Sequence, residues 1–253
     1  MAPPAPHADA PSIDPEDVGR FSALAAAWWD PDGAFRPLHR LNPVRLAYIR
    51  DKIIAHFGRA PGRQRPLAGL RLLDIGCGGG LIAEPMARLG AEVVGLDASD
   101  RNIAVARAHA AEAELAIDYR TAAAEDLAAA PERFDVVLCL EIVEHVADLD
   151  GFLAAAGALV RPGGVLIAAT LNRTPQSYLF AIVGAEYVLR WLPRGTHRWQ
   201  KFVRPSELAA RLRHGGLTVH DVSGVTYSPI TDSWRIGDDL TVNYMCLAAR
   251  AAD

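Results

Sequence analysis

An apolar run that ends in a carboxylate and a string of glycines, Leu72-Leu73-Asp74-Ile75-Gly76-Cys77-Gly78-Gly79-Gly80, leaves this chain few folds to choose from. A buried strand, a turn with almost no side chains and a helical period behind it form the opening of a βαβ unit. The same alternation continues downstream. Short apolar runs at 70–75, 92–96, 115–119, 134–140 and 165–169 read as strands, with helical periods at 81–89, 101–113 and 149–160 between them. Arg161-Pro162-Gly163-Gly164 reads as the turn into the fifth strand, and a helix near 205–213 leads to strands near 217–222 and 242–248. The pattern predicts an α/β fold, a doubly wound and mostly parallel seven-stranded sheet with helices on both faces.

Ahead of that domain (67–253), residues 14–66 read as a helical cap and 1–13 as a disordered leader rich in Ala and Pro. Asp14 is a helix cap and Pro15 suits the first helical position, so a helix runs from there towards Trp28-Trp29. A loop over 30–42 and a second helix from Pro43 follow, with Leu46, Ile49, Ile53 and Ile54 on one face. At 253 residues the chain is near the upper size for one core. With 51% hydrophobic residues, 22% charged residues and a net charge of -4, it has the composition of a soluble globular protein, and nucleic acid is not favoured as a partner. Cys77, Cys139 and Cys246 are odd in number and widely spaced, which fits a reducing cytoplasm better than a disulfide framework. The leader lacks the basic start and apolar stretch of a secretory signal, and no apolar run approaches the ~18 residues of a membrane span. A cytoplasmic location is expected.

Glycines after a strand let a ligand approach the backbone, either a dinucleotide pyrophosphate or S-adenosyl-L-methionine. Asp74 separates the two, because a carboxylate two residues before Gly76 would repel a pyrophosphate and help hold the cationic amino-acid end of S-adenosylmethionine. Asp97 closes the second strand, where it can accept hydrogen bonds from both ribose hydroxyls of either cofactor. Ala124-Glu125-Asp126, after the third strand, resembles the acidic position with which adenosylmethionine enzymes contact the adenine. From Leu72 to the loop after Leu140 the chain resembles the class I methyltransferases, whose fold is Rossmann-like. Gly76, Gly78, Asp97 and Asp126 are therefore cofactor candidates. Leu140, at the end of the fourth strand, is expected against the adenine or the methionine chain, although a core strand residue describes it equally well. Taken singly, Asp74 could be a loop cap and Asp97 a turn residue.

The run Cys139-Leu140-Glu141-Ile142-Val143-Glu144-His145-Val146 follows the fourth strand at the carboxyl edge of the sheet, where ligands of such folds bind. Methyl transfer to a phenol needs the oxygen deprotonated, and a phenol of pKa ~10 is mostly neutral at pH 7. His145 could act as the base. Glu141, Glu144 and His145, spaced i, i+3, i+4, could instead share a divalent ion that acidifies a catechol-like hydroxyl. Magnesium prefers oxygen ligands, and the histidine suits manganese, iron or zinc better. A helix cap paired with its neighbours is a third reading of Glu144 and His145.

From about Phe21 to Ala249 the chain resembles the ubiquinone-biosynthesis O-methyltransferases. The resemblance is carried by Trp28-Trp29-Asp30, by 37–45, the glycine loop and 141–146, by Thr170-Leu171-Asn172-Arg173 and Gly184-Ala185-Glu186-Tyr187, and by Gly195-Thr196-His197 and Asn243-Tyr244-Met245. It implies S-adenosylmethionine as methyl donor and two O-methylations, on 2-polyprenyl-6-hydroxyphenol and on 3-demethylubiquinol. It also implies Arg45, Gly76, Asp97 and Leu140 as cofactor contacts, Arg45 by pairing with the cofactor carboxylate, and a metal at Glu141, Glu144 and His145. Leu140 stands where methionine is frequent in the family, and Arg198 where an acid usually follows the Thr-His pair.

Residues 172–204 carry Tyr178, Phe180, Tyr187, Trp191, Trp199 and Phe202, and six Lys or Arg against the single acid Glu186. A short apolar helix edged by aromatic and basic residues suits an anionic bilayer. Peripheral contact there would let the enzyme reach a quinone precursor whose tail stays in lipid, beside other enzymes of ubiquinone synthesis. A substrate lid packed by its own aromatics has the same composition. A methyltransferase for a soluble phenol or catechol would use the same glycine loop, and a non-catalytic lipid-binding subunit would keep the fold without turnover. The intact loop and Asp97 argue against the second, and Asp74 argues against a nicotinamide dehydrogenase.

Overall fold

The computed structural model describes residues 12–60, 62–180, 182, 198–228 and 231–252. Five strands, β1 (Arg71–Ile75), β2 (Glu92–Asp97), β3 (Asp118–Thr121), β4 (Phe134–Leu140) and β5 (Val160–Leu171), pair in parallel in the order β3-β2-β1-β4-β5. Beyond β5 the sheet continues antiparallel through β8 (Asn243–Arg250), β6 (Leu217–Ser228) and β7 (Ser233–Gly237). All seven residues of β4 are buried. A strand covered on both faces reads as a nearly continuous apolar run, here interrupted at Asp135, which is why its bounds were legible.

Helices cover both faces. On one, α2 (Arg36–His56), α3 (Ala83–Arg88) and α4 (Asp100–Glu112) bring Ile49, Ile53, Met86 and Ile103 against Leu72, Val136 and Ile167. On the other, α5 (Ala124–Ala128), α6 (Leu149–Leu159) and α8 (Pro205–His214) pack Leu127, Phe152, Leu153 and Leu208 on Leu73, Val137 and Leu166. The single turn α7 (Pro175–Ser177) opens the segment after β5. Helix α1 (Pro15–Ala23) starts as the sequence implies, with the Asp14 carboxylate accepting from the Glu16 amide and Pro15 at the first position.

Four expectations change. The second helix begins at Arg36 rather than Pro43, and Pro43 lies inside it. Proline removes one backbone donor there, but burial of Leu41, Tyr48, Ile49 and Ile53 along the helix holds it together. The third strand starts at Asp118, because Glu114 takes a positive φ of 54° and the Leu115 amide closes the end of α4 on the Ala110 carbonyl. The sheet has eight strands, since β6 runs on to Ser228 and pairs with the short exposed edge strand β7. Ser12, within the expected leader, is 4% exposed and its carbonyl accepts from the Ala147 amide at 2.9 Å. Tyr187, Trp191 and the segments 184–187 and 195–197 lie outside the described residues. Among the described residues, no helix is long and apolar enough to cross a membrane. The three cysteines are buried and free.

Candidate active site

Strands β1 and β4 are neighbours whose onward connections run to opposite sides of the sheet, and such a switch point opens a crevice at the carboxyl ends of the strands. Ile75 pairs with Cys139 in register, so the glycine loop and the segment after β4 emerge side by side. Gly76 has φ +75°, and a Cβ on it would stand 2.9 Å from Ile142, so both backbone conformation and packing require glycine. Across the crevice Glu141 holds a left-handed φ of 52°, with its amide donating to the Ala169 carbonyl at 2.8 Å. Non-glycine residues held this way cost of order 1–3 kcal/mol and cluster at functional sites.

The crevice is a cavity of about 800 Å³ including its mouth. The core domain contributes Gly76, Leu96, Asp97, the run Ala122-Ala123-Ala124, Glu141, Ile142 and His145, and the N-terminal segments contribute Ser12, Asp17, Phe21 and Trp28. Of the cofactor candidates, Gly76 and Asp97 therefore line it directly. Asp97 accepts from the amides of Ser99 (2.8 Å) and Gly78 (3.0 Å) and from the Asn102 side chain (3.1 Å), tying the second strand to the glycine loop. Burial pushes its carboxyl above the usual range against those bonds. Gly78 faces Trp28, whose ring would lie 2.3 Å from a Cβ at that position and whose indole N–H donates to Asn102 Oδ1 at 2.9 Å.

Asp74 and Arg45 sit deeper, off the cavity wall. Asp74 is 3% exposed, its Oδ2 has no hydrogen-bond partner, and burial pushes its carboxyl up to about 7 although the Arg45 charge pulls the other way. Arg45 is buried too, bonded to Asn42 and 3.4 Å from Glu141. A buried, unpartnered carboxylate oxygen behind a glycine loop fits the ammonium of an amino acid, and the guanidinium fits its carboxylate. Two candidates fall elsewhere. The Asp126 carboxylate accepts from the Ala123 amide as the cap of α5, and the adjoining cavity wall is made by Ala122, Ala123 and Ala124 instead. Leu140 packs in the sheet core and does not line the cavity.

Of the reaction residues, His145 parts from the two glutamates. His145 lines the cavity, and its Nδ1 lies 3.3 Å from Asp17 Oδ2 on α1. Glu144 is buried and accepts from the Thr170 hydroxyl at 2.8 Å; burial and then the Glu141 charge raise its carboxyl well above the usual range. Glu141 turns to Arg45. Glu144 Oε1 has no partner and the Glu141 carboxylate stands against it, but His145 turns away to Asp17, so the three do not converge on one point, and among the described residues no three His, Cys, Asp or Glu side chains form a group that could hold a metal. The spacing i, i+3, i+4 presumes a helix, whereas 141–147 is a non-helical turn. Asp17 escaped the sequence because it is a first-turn acid like any other, and only the packing of α1 on the crevice brings it to His145.

A sequence model of the methyltransferase domain matches residues 73–168. A ubiquinone biosynthesis O-methyltransferase of Mesorhizobium japonicum is 61% identical over 95% of this chain and 97% of its own length. One from Brucella anthropi is 60% identical with the same coverage. Among solved structures, a magnesium protoporphyrin IX methyltransferase from Synechocystis with bound S-adenosylmethionine is similar in fold at TM-score 0.62 and 16% identity, covering 95% of this chain and 99% of its own. An S-adenosylmethionine-dependent methyltransferase from Clostridium acetobutylicum gives 0.60 at 14% identity, covering 92% and 98%. This chain belongs to the ubiquinone biosynthesis O-methyltransferases, a family of class I S-adenosylmethionine-dependent methyltransferases.

Proposed function

We propose that the chain transfers the methyl group of S-adenosylmethionine to phenolic hydroxyls of polyprenylated ubiquinone precursors, 2-polyprenyl-6-hydroxyphenol and 3-demethylubiquinol, with His145 as general base. The observation that carries the reading is a single cavity lined by both Gly76 and Asp97 on the cofactor side and Glu141 and His145 on the reaction side. When bound, the cofactor supplies an activated methyl group and a neutral thioether leaving group. Asp74 Oδ2 would take its ammonium, Arg45 its carboxylate and Asp97 its ribose. His145 accepts the phenol proton, which a group of pKa ~10 otherwise keeps at pH 7. Phe21, Leu96, Ile142 and Val146 keep water away, and that favours a transition state in which a phenolate and a cation neutralise each other.

Methyl transfer from labelled cofactor to a short-tailed demethylubiquinol, with and without chelator, tests this. Robust transfer lost in His145→Ala is expected. Cofactor binding without transfer would overturn the quinone assignment, and loss of transfer with chelator would overturn a reaction carried by the base alone.

Tyr178, Leu179 and Phe180 are 50%, 53% and 61% exposed at the start of the insertion, near the basic Arg173 in sequence. Large apolar side chains in solvent support peripheral contact with an anionic bilayer at its cytoplasmic face. Salt-dependent binding to anionic liposomes, lost in a Leu179→Ser/Phe180→Ser variant, is the expected result; no binding at low salt would remove the membrane from the reading.

A further inference from the structure

We propose that Asp17 is a positioning residue for His145, so that the N-terminal helix rather than the methyltransferase core sets the orientation and tautomer of the base. The inference rests on His145 being the general base.

Two side chains of α1 grip the imidazole. Asp17 Oδ2 lies 3.3 Å from Nδ1, with Asp17 6% and His145 9% exposed at the side chain. Phe21, four residues on and therefore on the same helix face, meets the ring edge-on at 5.0 Å and 85°. Burial opposes an ionised Asp17, yet the bond to His145 and the charges of His145, Arg20 and Lys201 hold its carboxyl below the usual range. The helix itself is tied down at several points. Lys201 bonds Asp14 at 2.7 Å and approaches Asp17 at 3.7 Å, Arg198 pairs with Glu16, and the Ser12 carbonyl accepts from the Ala147 amide, two residues beyond His145. Arg198 thus meets an acid of α1.

A carboxylate beside Nδ1 keeps the ring proton on that nitrogen and leaves the lone pair on Nε2. The phenol proton then passes to Nε2 while an oxygen lone pair attacks the methyl carbon, and the C–S bond breaks with its electron pair going to sulfur. The imidazolium so formed is stabilised by Asp17, which accepts a hydrogen bond throughout and takes no proton.

The test is steady-state kinetics of the full chain, wild type, Asp17→Asn, Asp17→Glu and His145→Ala, on two quinol-type phenols: an ordinary one and one made acidic by a nitro group, so that it is largely ionised at pH 7. Asp17→Asn is expected to lower kcat on the ordinary phenol by about 10- to 100-fold, with KM for the cofactor within about twofold of wild type. On the acidic phenol, which has no proton to give up, the loss shrinks to about threefold or less. Asp17→Glu restores part of the rate, and it carries the same comparison should Asp17→Asn fail to fold. Equal losses on both phenols would reduce Asp17 to a structural residue and overturn the proposal. Full activity of Asp17→Asn beside an inactive His145→Ala would overturn the positioning role alone, whereas full activity of His145→Ala would overturn the base on which it rests.

Discussion

Asp74 makes cofactor binding a pH-dependent event of predictable size. Its carboxyl is buried, one oxygen has no partner, and burial pushes it up to about 7. An ammonium docked on that oxygen favours the ionised form, so the bound carboxyl returns towards the ordinary range near ~4 and the ligand must expel whatever proton the free carboxyl carries. Affinity then follows the ionised fraction of the free protein, roughly one thirtieth at pH 5.5 and one half at pH 7, a tightening of about 15-fold. S-adenosylhomocysteine is the probe of choice, because it keeps the amino-acid end and lacks the sulfonium charge. Calorimetric titration at pH 6 in two buffers of different ionisation enthalpy should show about 0.9 proton released per ligand. Asp74→Asn should bind more weakly and nearly independently of pH over that range. A flat wild-type profile refutes the reasoning. So does a slope that survives in Asp74→Asn, which would assign the titration to another group such as Asp97.

The same carboxyl bears on stability with a definite sign. Its folded-state value of about 7 lies above the unfolded 3.8, so its contribution is full below about pH 4 and is lost as pH rises to 7, by up to about 4 kcal/mol. Urea unfolding of the ligand-free chain between pH 5 and 7 should show the decline in wild type and much less of it in Asp74→Asn. Gly78→Ala combines a φ of +54° with a Cβ 2.3 Å from Trp28, so a loss of about 2 kcal/mol or more is expected, and the same substitution should cost less when made in a Trp28→Ala background, as measured by denaturant midpoints. Ile49 is fully buried between α2 and the sheet, and Ile49→Ala should cost about 2–5 kcal/mol, read as a lowered melting temperature.

The strands that position the site were the easiest to read. β1 and β4 are short, covered on both faces and bounded by turn residues, so periodicity and turn chemistry agree. Elements at the margins were harder. β7 is a half-exposed edge strand without an apolar alternation, and α2 passes through Pro43 because tertiary burial outweighs one missing backbone bond. Within the site, Gly76, Asp97, Glu141 and His145 were named from local sequence and meet in one cavity. Asp126, expected at the adenine, caps α5 on the Ala123 amide, since a carboxylate three residues into a helix turn has two uses, ligand or cap.

By itself the sequence determined the class of the fold, the strands of its parallel core and the family, because the period of burial and the glycine loop are local properties written into neighbouring residues. Only the tertiary structure decided which carboxylate stands beside His145, that Trp28 closes on Gly78, and that His145 turns to Asp17 while Glu141 and Glu144 stay together. Those contacts join residues far apart in the chain, Asp17 to His145 across 128 positions and Arg45 to Glu141 across 96, and no spacing rule encodes them. They follow from how α1 and α2 dock on the sheet, a packing outcome summed over many weak apolar contacts rather than signalled by any one residue.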